Sequence, residues 1–141
     1  MNLPDVNVLV QAFRSDSNDH SRCHAWLDRT VNGERRFAIA PQVLSGVIRV
    51  VTHPKVFARP SAPAEVLKFC DILRGRPNCV LVQPGERHWP IFVRLCREAD
   101  ARGNLVADAW LAALAIEWAC EWVTLDRDFA RFPGLSWMSP A

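Results

Sequence analysis

Residues 103–118, GNLVADAWLAALAIEW, restrict the folding of this chain more than any other stretch, because they combine an apolar helical repeat with a single early carboxylate. Leu111, Leu114, Ala115 and Trp118 recur at i, i+3, i+4 and i+7, alanines fill the positions between them, and Gly103-Asn104 provides a start. The pattern predicts a core helix with Asp108 in its first turns. Directly after it, residues 121–125 (EWVTL) carry the aromatic and β-branched side chains of a short strand, which runs into Asp126-Arg127-Asp128. If that strand is parallel to its neighbours, its C-terminal end lies where open α/β sheets bind ligands.

Taken singly, each acid has an ordinary explanation. Asp108 would favour the macrodipole near a helix N-terminus, and Asp126 and Asp128 would be solvated turn residues. One shared acidic pocket explains them better as a set, and Asp5, near the start of the chain, adds a fourth carboxylate.

A chain of 141 residues, half of them hydrophobic, is read as one domain spanning 1–141, able to bury roughly 70% of its unfolded surface. The net charge of +2 is mild. Lys55 and Lys68 are the only lysines, so fifteen of the seventeen basic residues are arginine. Guanidinium forks suit phosphate, although their scatter along the chain fits a compositional bias equally well. Cys23, Cys70, Cys79, Cys96 and Cys120 are odd in number, widely spaced and form no C-x-x-C pair, so they read as reduced, buried thiols. No basic N-terminal region precedes a long apolar run, and the most apolar later stretch is broken by Asp108 and Glu117. A cytosolic protein with no membrane association is expected.

Asn2-Leu3-Pro4-Asp5 reads as a very short first strand that delivers Asp5, and Pro4 restricts it to a sheet edge or a strand end. Val6, Val8 and Val10 alternate as a strand would, but Leu9 and Phe13 keep helical spacing, and a helix is expected. A second helix starts at Asn18 or Asp19, runs through Cys23, Trp26, Leu27 and Val31, and stops at Asn32-Gly33. His20 and His24 lie one turn apart without a third ligand nearby, so they are read as surface residues. A strand at 37–40 is ended by Pro41, and a helix follows through Val43, Leu44, Val47 and Val50 to His53-Pro54. Helices at 64–73 and 88–101 flank a strand at 80–82, and 135–137 reads as a last edge strand. This order predicts an α/β sandwich with a mainly parallel central sheet of four or five short strands.

Such a sheet brings Asp5 and Asp126, at strand ends, and Asp108, near a helix start, to one edge. Their repulsion raises one another's pKa, so a cluster kept ionised at neutral pH calls for a cation. Oxygen donors alone select Mg2+ or Mn2+ over zinc. The fitting chemistry is phosphodiester hydrolysis, in which a metal neutralises phosphate charge and activates a water. No nucleophile elbow, Walker loop or dinucleotide-binding turn is present. A receiver-like domain would need a second acid beside Asp5 and a partner lysine, and Asn7 and the scarcity of lysine count against it.

Four motifs in this order give the chain a family likeness: PDVNVLV near the N-terminus, AP-x-V-L-x-G-x-x-R-V-x-T-H-P over 40–54, GN-x-V-x-DAWLAALA, and TLDRDFARFPGL. Over nearly its whole length the chain resembles the PIN-domain ribonucleases, and among them the VapC-like toxins of bacterial toxin-antitoxin pairs. The resemblance implies a PIN-like α/β/α sandwich and a Mg2+-dependent endoribonuclease that cleaves RNA, dimerises and is held inactive by a cognate VapB-like antitoxin. Asp5, Asp108 and Asp126 match the family's metal-binding acids, and Asp128 its accessory catalytic acid. The family's further Glu, on the helix after Pro41, is missing from Gln42-Val43-Leu44-Ser45-Gly46. With Gly46 and Arg49 aligned, its place falls at Leu44, within one or two positions. The loss of that acid motivates an alternative, a PIN-fold interaction module with weak or no nuclease activity.

Overall fold

The computed structural model describes residues 1–141. The chain begins with β1 (Asn2–Pro4), α1 (Val6–Phe13), α2 (His20–Asn32), β2 (Phe37–Ile39) and α3 (Pro41–Val51). It continues through α4 (Pro63–Arg74), β3 (Cys79–Leu81), α5 (His88–Glu98), α6 (Asn104–Glu117) and β4 (Glu121–Val123). A 3-10 turn over Arg127–Arg131 leads to β5 (Trp137–Met138).

The five strands form one sheet in the order β3-β2-β1-β4-β5, and every pairing is parallel. The sequence predicts a mainly parallel sheet of four or five strands, and the edge strand β5 completes the set of five. Starting from the central strand β1, the chain steps outward to β2 and β3, then crosses back to place β4 on the other side of β1. Crossovers keep one hand, so the outward steps and the return step lay their helices on opposite faces. Accordingly α1 packs on α2 and α3, and α3 on α4, whereas α5 packs on α6.

Pro4 is the last residue of the central strand, so of its two permitted places it occupies the end. The alternating valines belong to α1, where Val8, Leu9, Val10 and Ala12 are buried against the rest of the core. The apolar face of α6 is centred differently from the predicted stripe. Ala109, Ala112, Ala113, Leu114 and Ala115 are buried, whereas Leu111 is half-buried and Trp118, at the C-cap, is exposed. Small side chains let the helix lie close on its neighbours, and Trp118 instead donates its indole N–H to the Gln83 carbonyl (2.8 Å). Gly103 starts α6 at φ 56° and ψ −129°, a backbone region essentially confined to glycine.

All five cysteines are free; Cys23, Cys70 and Cys120 are buried, and Cys79 and Cys96 are half-buried. His20 uses its Nδ1 on the Gln11 carbonyl (2.9 Å), and His24 is exposed. No helix is long and apolar enough to cross a membrane.

Candidate active site

The reversal of strand order falls between β1 and β4, and the carboxyl ends of those two strands frame the crevice where such sheets bind ligands. Register sets Pro4 opposite Val123, and the Asp5 N–H extends the ladder by donating to the Val123 carbonyl (2.8 Å). Asp5 therefore sits at the sheet's edge as the N-cap of α1, its Oδ1 accepting from the Val6 N–H (2.6 Å). Its Oδ2 accepts from the Thr124 hydroxyl (2.7 Å) and from the Asn7 amide (3.3 Å).

Thr124 and Asn7 tie the two strand ends together. The Thr124 Oγ1 accepts from Asn7 Nδ2 (3.2 Å) and from the Asp126 N–H (3.0 Å), while Asn7 Oδ1 accepts from the Leu125 N–H (3.1 Å). A fully partnered buried network of this kind fixes a carboxylate's orientation. Asp126 caps the 3-10 turn, its Oδ1 accepting from the Asp128 N–H (2.9 Å). Asp108 arrives from the opposite layer, in the second turn of α6.

Asp5, Asp108 and Asp126 line one cleft of about 400 Å³, together with Asn7 and Gln11 of α1, Val50 of α3, and Val56 and Phe57 beyond it. Burial pushes the Asp5 carboxyl up to about 6, and repulsion from Asp108 and Asp126 adds to that rise against the bonds from Thr124 and Val6. Burial also raises Asp108, with Asp126 and Asp128 adding to it. The larger cavity of about 710 Å³ around Arg29, Arg35 and Arg36 includes none of the four predicted acids.

Asp128 is placed apart from the other three: it is exposed, does not line the cleft, and reaches it through its charge on Asp108 and its backbone bond to Asp126. Leu44 lies elsewhere altogether. It is buried in a separate groove with Ile48, Leu67 and Leu81, so an acid at that position would not face Asp5. The face of α3 turned toward the cleft runs through Val50, Gly46, which abuts Val6, and one further turn back through Gln42. Gln42 accepts the Trp110 indole N–H at 2.9 Å, two residues along α6 from Asp108. Residues 42–46 therefore carry no carboxylate, and none of them lines the cleft.

Asn7 and Thr124 are site residues that composition and periodicity do not single out. Their only signals in the sequence are an Asn two residues after a strand-end Asp and a Thr two residues before another.

No three histidine, cysteine or acidic side chains are spaced to grip an ion directly. The carboxylates line the cleft without closing on one point. An oxygen-only donor set of this openness fits a hard divalent cation that keeps several of its waters and takes further oxygens from a phosphate.

A parallel α/β sandwich with an acidic crevice at its switch point defines the class, and the chain belongs to the PIN-domain family, whose family model matches residues 3–135. It is 43% identical over 136 residues to Ribonuclease VapC43 of Mycobacterium tuberculosis, an alignment covering 96% of this chain and 92% of that protein. It is 38% identical over 140 residues to Ribonuclease VapC25 of the same organism, covering 99% of each. The fold matches a chain of the VapBC2 complex from Rickettsia felis, solved bound to promoter DNA, with a TM-score of 0.71 at 20% identity, over 98% of this chain and 97% of that one.

Proposed function

We propose that this chain is an endoribonuclease that uses Mg2+, or Mn2+ in its place, and acts as the toxin of a toxin-antitoxin pair in the cytoplasm. The observation that carries the reading is the convergence of Asp5, Asp108 and Asp126, from both helical layers, on one cleft at the switch point. Full-length similarity to proteins named as VapC ribonucleases supports RNA as the substrate.

Asp5, Asp108 and Asp126 would hold the ion, which supplies charge neutralisation for the phosphate and acidifies a water. The chain's own residues do the positioning. Thr124, just past β4, and Asn7, in the first turn of α1, fix the Asp5 carboxylate from two sides, so it keeps its orientation when ionised. The Val6 N–H at the start of α1 favours that negative charge. Asp128 adds negative potential from outside the cleft.

A VapB-like antitoxin is the inferred protein partner, since the fold's solved neighbours include VapBC complexes. Self-association into a homodimer is inferred from exposed apolar side chains, among them Trp89, Leu67 and Ile72, which are 62%, 49% and 55% accessible. Light scattering on the purified chain would give a dimer mass, and a monomer across micromolar concentrations would overturn that point.

The deciding experiment is RNA cleavage with Mg2+ or Mn2+ against excess chelator. Cleavage is expected with either ion, and Asp5→Asn and Asp108→Asn are expected to lower it by several powers of ten without unfolding the chain. Activity that survives the chelator would sink the metal-dependent reading. The absence of a carboxylate from residues 42–46 favours a second reading, a PIN-fold interaction module of weak or no nuclease activity, and antitoxin binding without ion-dependent cleavage would select it.

A further inference from the structure

Between α3 and α4, residues 52–62 cross the mouth of the acidic cleft without regular structure, yet they are held in one shape. Local bonds begin it: the Val56 and Phe57 N–H groups donate to the His53 carbonyl (3.1 and 3.2 Å), and the Lys55 N–H to His53 Nδ1 (3.0 Å). The far end is tied by the Ser61 N–H to the Val51 carbonyl (2.8 Å).

The main restraint comes from Arg14, the C-cap of α1, the helix whose other end carries Asp5. Its Nη1 donates to the Arg59 carbonyl (2.7 Å) and to the Ser61 hydroxyl (3.0 Å), and its guanidinium carbon lies 4.0 Å from the centre of the Phe57 ring. Nε and Nη2 make a forked pair with Asp16 (2.9 and 2.6 Å), and the Arg14 side chain is only 10% exposed. A planar, nearly buried fork engaged on a carbonyl, a hydroxyl, a carboxylate and a ring is a fixed part, not a roaming surface charge.

The clamp holds two apolar side chains against the acids. Val56 and Phe57 line the same cleft as Asp5, Asp108 and Asp126, although Val56 is 55% exposed and gains little from folding. Carboxylates engaged on a divalent ion reach through it only the phosphate, which is alike at every nucleotide, so discrimination among RNA sites needs a further contact with a base. Proteins that select single-stranded RNA stack unpaired bases on aromatic side chains beside the backbone site.

We propose that residues 52–62 are the base-recognition wall of this cleft. Phe57 and Val56 receive an unpaired nucleobase next to the scissile phosphate, and Arg14 is the positioning residue that fixes the wall relative to the acids. The inference rests on the ribonuclease reading. It specifies an RNA segment whose bases are free to leave a stack, since a paired base would present no face to the wall.

The test uses short single-stranded RNAs that differ only at the nucleotides flanking the cut, with Phe57→Leu, Val56→Ser, Phe57→Trp and Arg14→Lys. Leucine keeps the apolar packing of the half-buried Phe57 and removes the π-face together with its Arg14 contact, a loss that Val56→Ser does not share, and Val56 is exposed enough for serine to leave the fold intact. Phe57→Leu should raise KM about 5- to 160-fold, the range of base–aromatic stacking, with kcat within about threefold, and should flatten the preference among flanking bases. Phe57→Trp should restore both, Val56→Ser should weaken the preference, and Arg14→Lys should broaden the cleavage sites sequenced from a mixed RNA pool. Fluorescence anisotropy of the same RNAs, measured in an Asp108→Asn background, reads the wall without requiring cleavage. A wild type that cuts nothing overturns the ribonuclease reading. Unchanged affinity and base preference in both Phe57→Leu and Val56→Ser overturn the wall.

Discussion

Asp5 carries the largest conflict in the molecule, an ionisable group buried among two other acids with its carboxyl raised from 3.8 to about 6. The metal-free folded chain holds that proton more tightly than the unfolded one. Between pH ~4 and ~6 the folded state therefore binds more protons, and its stability falls as pH rises through that window, by up to about 3 kcal/mol. Urea unfolding in chelator at pH 4 to 7.5 should show this decline. Asp5→Asn should flatten it and gain about 1–3 kcal/mol at pH 7 while losing activity; the lower end allows for an amide facing the Asn7 donor. Introducing a carboxylate at Leu44 has the opposite effect to removing the one at Asp5. At 5% exposure and away from the acids, Leu44→Glu should cost about 2–4 kcal/mol and leave ion affinity unchanged. Gln42→Glu, at an exposed position whose carboxylate can still accept the Trp110 indole N–H, should leave the melting curve nearly unmoved.

At the scale of elements, the site depends on how closely α3 approaches the start of α1. A Cβ added at Gly46 would lie 2.9 Å from Val6 Cγ2, so only glycine admits this spacing without movement. The Val6 N–H donates to Asp5 Oδ1, so displacing Val6 moves the carboxylate. Gly46→Ala should cost about 1–2 kcal/mol and lower cleavage more than that loss alone explains, as read by chemical denaturation beside a rate measured well below the melting temperature. A variant with wild-type rate and stability would show that the helices part without consequence. The short strands tolerate this dependence because β1 and β4 are pinned beyond their ladders by Thr124 and Asn7.

Across the whole molecule, acids that destabilise the ion-free state would make the proposed ion binding a source of stability. At a free Mg2+ concentration about 100 times its Kd, the folded chain should gain about 2.7 kcal/mol. Thermal melts at pH 7.5 should therefore shift upward with Mg2+. The shift should shrink below pH ~6, where Asp5 is protonated, and disappear in Asp108→Asn. An equal shift in Asp108→Asn would place the ion elsewhere on the molecule.

The sequence by itself determined the elements and their type. Periodicity of 3.6 and of 2 is a local property, and short strands punctuated by Pro41, Gly33 and Gly103 leave few alternative readings. It also marked Asp5, Asp108 and Asp126, because a carboxylate at the edge of an apolar segment is a local anomaly. Tertiary structure alone decided that β1 is the central strand, since a strand-end proline is compatible with edge and centre alike. It alone placed Asp128 outside the cleft, turned Leu44 into a separate groove away from the acids, and joined Asn7 to Thr124 across 117 residues. Which face of a helix meets which cleft depends on crossover direction and close approach, and these are relations between distant segments that no local pattern encodes.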